Sequence, residues 1–304
     1  MKKILFALLF AANSAWANPT ITVPTPPGGA PDAWTRVIAK FLAQEIGVEY
    51  IVVNKPAAAG RVAVEHVATQ PADGQNLITV ATGPFLFNKV LYNNLSHDYT
   101  AFDILAPMAQ VPLSLSVSNN LGVSTLAEFL NVARSKTLNC AGSSASSVFV
   151  GKQFFNHLQV RDVQFIPFRG SADMNVQLAA GTIDCAFDTV NTALSLHKNS
   201  KYKIIAVSTE SRYEEVSTAA LFSSVVPGLV FYNWYGIAIK VNTPNRDQIF
   251  TALRKINQDP AFRAEIVKRG LEVVNPPANG QQWIHREYLK FEAVRKQLNI
   301  EKLD

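Results

Sequence analysis

Ile21-Thr22-Val23-Pro24-Thr25-Pro26-Pro27-Gly28-Gly29-Ala30-Pro31-Asp32 reads as a strand, a tight turn and the start of a helix. Ile21 to Val23 is a short β-branched run, and Pro24 to Gly29 is turn chemistry. Pro31 fits the first helical position, where its missing N–H costs nothing. Trp34, Val37, Ile38, Phe41, Leu42 and Ile46 then recur as one apolar stripe at helical spacing, and Gly47 suits the left-handed stop.

The same unit repeats outward along the chain. Strands are expected at Tyr50 to Val53 and Leu77 to Ala81, with a helix near Val62 to Thr69 between them. A second series begins near Val111. Thr125-x-x-Glu128 is a capping box for a helix, followed by strands at Leu138, Val163, Ile183 and Lys203 with helices between them. Near-continuous apolar strands between amphipathic helices predict mostly parallel sheets covered on both faces. Two such series predict an α/β protein of two lobes. The expected division is 18–110 with 225–304 for lobe 1 and 111–224 for lobe 2, with crossings near Val111 and Ser224.

The chain has 304 residues, 48% hydrophobic and 17% charged, which excludes disordered and collagen-like classes. Met1 to Ala17 reads as a signal peptide: Lys2-Lys3, an apolar run from Ile4 to Ala12, then Ala15-Trp16-Ala17 as a cleavage site. Export to the periplasm is therefore expected, with cleavage after Ala17. The formal charge of +5 includes those two lysines, and no basic cluster remains to suggest nucleic acid. In an oxidising compartment Cys140 and Cys185 are either bridged or two buried thiols, and both readings stay open. The five histidines are scattered, with no metal-binding spacing, so neither metal nor cofactor is expected.

In open parallel sheets ligands bind on the loops leaving the carboxyl ends of strands. Four such loops stand out. The first holds Thr25, Pro27, Gly28 and Gly29 ahead of Asp32, where glycine permits close approach and the helix start favours an anion. Thr82-Gly83 follows the third strand. Ser143, Ser144, Ser146 and Ser147 crowd the third loop, offering hydroxyls and backbone donors for a carboxylate, with capping by Ser146 or Ser147 as the plainer role. Phe168-Arg169-Gly170-Ser171 is the fourth, where Arg169 is available to an anion or to Asp188. Neither a dinucleotide fingerprint nor a phosphate loop is present. The residues alone thus indicate an exported two-lobe binder of a small anion.

Val23-Pro24-Thr25-Pro26-Pro27-Gly28-Gly29 followed by Asp32 resembles the V-P-F-P-P-G-G-x-x-D opening of the Bug receptors, periplasmic substrate-binding proteins of tripartite tricarboxylate transporters. Val53-Asn54-Lys55-Pro56, Pro71-Ala72-Asp73-Gly74, Leu91-Tyr92 with His97-Asp98, Phe168-Arg169-Gly170-Ser171, Phe187-Asp188 and Trp234-Tyr235-Gly236 resemble later blocks, in family order. The resemblance implies a type II-like periplasmic-binding-protein fold closing on a small-molecule carboxylate. It also implies transient docking to membrane transporter subunits, and a monomer is expected.

Some residues depart from that pattern. Ala57 and Ala59 replace glycines, which predicts a stiffer or differently bent loop. Ser143 and Ala145 replace glycines, Phe149 stands at a histidine position, and Phe168 lacks a tyrosine hydroxyl. These changes predict a more apolar second-lobe wall and a carboxylate with an aromatic or aliphatic far end. Two rival readings share these residues. A secreted hydrolase using one of the four serines requires a histidine within reach after folding. A ligand-binding subunit of a sensory system shares the fold of the receptor.

Overall fold

A computed structural model describes residues 18–168 and 170–304 of the chain. The signal peptide read at 1–17 and the anion contact read at Arg169 lie outside the described residues. The chain builds β1 (Thr20–Val23), α1 (Ala30–Ile46), β2 (Ile51–Asn54), α2 (Arg61–Thr69), β3 (Asn76–Ala81), a π-helical turn (Gly83–Phe87) and α3 (Asn88–Leu91). It continues through β4 (Phe102–Ser118), α4 (Leu126–Ala133), β5 (Leu138–Gly142), α5 (Ala145–His157), β6 (Val163–Pro167), α6 (Ser171–Ala180), β7 (Cys185–Thr189), α7 (Val190–Lys198), β8 (Tyr202–Val207) and β9 (Ala220–Leu221). It ends with β10 (Tyr232–Lys240), α8 (Arg246–Gln258), α9 (Pro260–Val267), β11 (Glu272–Val273) and α10 (Gly280–Gln297).

The strands lie in the order β2-β1-β3-β10-β4-β7-β5-β6. β1 pairs in parallel with β2 and β3, and β5 with β6 and β7. β10 runs antiparallel between β3 and β4, and β4 runs antiparallel to β7 and β8, so the sheet is mixed. The α/β two-lobe class stands, with two parallel blocks joined through antiparallel strands. β4 is the joint. Up to Pro112 it pairs with β10, and from Leu113 onward with β7.

β4 spans 17 residues, nearly all buried, and periodicity does not reveal it. Its sequence carries Pro107 and Pro112, which normally argue against a central strand. Here the β10 register shifts between Tyr235 and Ile237, opposite Ala109 and Leu105, so Pro107 sits in the irregularity. Pro112 sits where the strand changes partners, and neither proline interrupts a continuous ladder.

The α1 stripe is buried as expected: Trp34, Ile38 and Leu42 are fully enclosed, and Phe41 meets Phe262 of α9 edge to face at 5.5 Å. Each such side chain contributes about 1.5–3 kcal/mol. Thr125 and Glu128 form the capping box at α4. α5 begins at Ala145, and Ser144, not Ser146 or Ser147, caps it by accepting from Ser147 N. Cys140 and Cys185 face each other across β5 and β7, their Cα atoms 4.5 Å apart, and are bridged. This resolves the open choice between bridge and thiols. No helix among the described residues is long and apolar enough to cross a membrane.

Candidate functional site

The β1/β3 and β5/β6/β7 blocks run in opposite directions, so the loops that follow their strands meet where β4 changes partners and surround one cavity of about 720 Å³. Gly29, Ser144, Gly170 and Thr189 lie in its wall or lining turn, and each is the cap of a helix: α1, α5, α6 and α7 respectively. Four helix starts therefore direct unpaired N–H groups and positive dipole ends towards one space. Among the described residues the wall contains no Lys, Arg or His. Its polar groups are backbone amides, hydroxyls and side-chain amides, with Asp173 the one carboxylate among the described lining residues.

Thr25, Pro27, Gly28 and Gly29 form part of the wall, as the sequence predicts. Gly28 adopts a φ of 82°, which a side chain would strain. Thr25 Oγ1 is buried without a hydrogen-bond partner among the described residues. Asp32 is not in the wall but holds it: its carboxylate accepts from Gly28 N at 3.0 Å, Arg36 at 3.0 and 3.1 Å, and Asn54 Nδ2 at 3.0 Å. Burial raises the Asp32 pKa, but Arg36, the Gly28 N–H and Asn54 outweigh it and hold the carboxyl below its ordinary value. Asn54 also donates to Thr25 O at 3.0 Å, so β2 and α1 together fix the loop.

Thr82 and Gly83 also reach the wall. The Thr82 hydroxyl is already engaged, accepting from Trp234 N at 2.8 Å and donating to Trp234 O at 3.3 Å. Ser143, Ser144 and Ser146 line the cavity, whereas Ser147 is enclosed behind them. Ser146 donates to Asn233 Oδ1 at 2.9 Å, tying the loop to β10.

Asp188 lies just behind the wall, 1% exposed, accepting from Ser171 Oγ at 2.9 Å, Asn175 Nδ2 at 3.1 Å and Thr189 N at 2.8 Å. Burial pushes its carboxyl above the usual range, against the opposing effect of the nearby hydroxyls of Ser143, Thr192 and Ser171 and of the Thr189 N–H. Burial, and then the Asp188 charge, likewise push up the neighbouring Tyr235 phenol, which lines the cavity.

Phe149 and Phe168 do not form the apolar wall predicted from sequence. Phe149 points into a cluster with Phe87 and Phe291, and Phe168 packs beside the core of Ala141 and Met174. The wall there is instead mostly hydroxyl and amide, and the cavity lining includes residues the sequence reading missed: Asp173, Asn175 and Thr192, with Asn233 of β10 opposite them. Asp173 and Asn175 occupy the first turns of α6, the position a loop-after-strand search would have reached by extending past Ser171.

Residues 34–300 match the model of the tripartite tricarboxylate transporter family receptor. The chain belongs to that family. The receptor is 25% identical over 284 residues to a UPF0065 protein of Bordetella pertussis, covering 89% of this chain and 87% of the relative. Its fold is that of Rpa4515 from R. palustris, solved with adipate: TM-score 0.86, 24% identity, covering 94% of this chain and 98% of that one. It is also that of the periplasmic binding protein BugD, with TM-score 0.84, 22% identity and coverage of 94% and 99%. A hydrolase reading requires a histidine within reach of the receptor's serine loop. Its hydroxyls bond to one another and to Asn233, and no histidine lines the cavity among the described residues.

Proposed function

We propose that this receptor captures a small organic carboxylate in the cavity and delivers it to the membrane subunits of a tripartite transporter, without turning it over. The observation that carries this reading is the convergence of the α1, α5, α6 and α7 starts on one cavity whose described wall lacks a cationic side chain. The adipate in Rpa4515 supports the same ligand class. Lobe 1, 18–110 with 225–304, and lobe 2, 111–224, close on the ligand by bending where β4 changes partners and along the return to β10. The mature receptor begins after Ala17, works in the periplasm and is a monomer.

Thermal-shift and calorimetric titrations of the purified receptor test the reading, with small carboxylates set against their neutral amides. Carboxylates that bind while their amides do not bear it out. Equal binding of acids and amides, or release of a chemically altered product, overturns it.

A further inference from the structure

The cavity has an electrostatic direction. α5 opens on Ser144 and carries no acid in its first turn, so its positive end is unneutralised. At α1 the acid of the first turn, Asp32, is already held by Arg36. The α6–α7 side is the reverse. Asp173 stands in the first turn of α6 and lines the cavity. Asp188 sits behind the same wall and draws on Ser171 and Asn175 of α6 and on the N–H of Thr189, the cap of α7. Two carboxylates therefore occupy the ends of the two helices that would otherwise attract an anion there.

A second negative group on the ligand would meet like charge on that side, whereas an ammonium or a neutral donor would meet acceptors. Resting on the carboxylate reading above, we infer that the receptor selects carboxylates whose far end is a cation or a neutral hydrogen-bond donor, with ω-ammonium carboxylates as the simplest class, and that Asp173 sets this preference. Asp173 is an exposed residue of the cavity wall, whereas Asp188 is buried behind it, so Asp173 is the acid placed to meet the ligand's far end. Dicarboxylates and tricarboxylates are discriminated against for the same reason.

Three probes of one chain length test this by calorimetry at low salt: hexanoate, 6-aminohexanoate and adipate, with 6-aminohexanamide as the control for the carboxylate itself. The expected order puts 6-aminohexanoate about tenfold tighter than adipate, with hexanoate between them. Asp173→Asn narrows that gap to about threefold or less at unchanged melting temperature, and added salt narrows it in the wild-type protein. Adipate binding as tightly as 6-aminohexanoate overturns the inference, and so does a gap that Asp173→Asn leaves intact. Silence from all these probes and from 4-aminobutyrate and succinate overturns it too. Equal binding of 6-aminohexanoate and its amide is a different failure, because it removes the carboxylate reading itself.

Discussion

Phe149 of α5 meets Phe87 of the π-helical turn edge to face, their ring centroids 5.1 Å apart. Phe291 of α10 packs on both, at 5.0 Å from Phe87 and 6.2 Å from Phe149, and Phe231 closes the group at 5.7 Å from Phe291. α5 belongs to the half of the sheet beyond Leu113, whereas Phe87 and Phe291 belong to elements on the other half. The cluster is a dry joint between the halves, one helical turn behind the serine loop.

Truncating that joint leaves a cavity among rings that cannot collapse to fill it. Phe149→Ala is expected to cost about 3–5 kcal/mol in chemical denaturation, and Phe149→Leu clearly less. Equal losses for the two substitutions would show that the ring makes no specific contact there.

The bridge between Cys140 and Cys185 closes a sequence separation of 45 residues and lies directly beneath the strand ends that carry Ser143 and Asp188. Loop-closure entropy assigns it about 4 kcal/mol. The Cys140→Ala, Cys185→Ala double variant should lose that much stability on denaturation under oxidising conditions, and reductant added to the unfolded wild type should reproduce the loss. A double variant as stable as the wild type would show that the bridge constrains nothing.

The first strand–turn–helix unit was legible because three independent signals coincide there: β-branched residues, a Pro–Gly turn and a stripe from Trp34 to Ile46. The loops that face the cavity were legible for the same reason, since a parallel strand followed by a helix fixes where its loop emerges. Periodicity could not expose β4, whose prolines are excused by a bulge and a change of partners. It could not reveal that Phe149 turns into an aromatic joint, because one sequence position does not say which face of α5 it takes. Nor could it tell Asp32, which holds the wall, from Asp173, which forms it.

Asp32 gives the site a pH dependence of definite sign. Its folded pKa is lowered, because the bonds from Arg36, Gly28 and Asn54 outweigh the opposing effect of burial. Its stabilisation is therefore complete above the ordinary carboxylate range near pH 4 and disappears as pH falls through the lower folded value. Asp32→Asn should cost about 1–3 kcal/mol at pH 7, through the lost ion pair and weakened Gly28 contact. The gap between wild type and variant, followed by denaturation at successive pH values, should close on acidification. A gap independent of pH would mean that the carboxylate charge is not what holds the loop.

The turn Ala57–Gly60 carries opposite predictions within three residues. Ala58 and Ala59 adopt φ values of 51° and 55°, left-handed conformations that disfavour a Cβ, and Gly60 follows at 83°. The left-handed penalty of about 1–2 kcal/mol per alanine exceeds the entropy that glycine adds to the unfolded chain, about 0.4–1 kcal/mol. Ala58→Gly and Ala59→Gly should therefore each stabilise the protein by about 0.5 kcal/mol. Gly60 behaves in the reverse way, because a Cβ there would stand 2.8 Å from Pro24 O and 2.8 Å from Pro84 Cγ. Pro24 leads into the Thr25–Gly29 loop and Pro84 lies in the cavity wall, so the clash pushes apart two parts of one site. Gly60→Ala should lose about 1–3 kcal/mol and weaken carboxylate binding at the same time. Melting curves of the three variants decide the matter: if the alanine-to-glycine changes destabilise, the turn is held by contacts of those methyl groups and not strained by them.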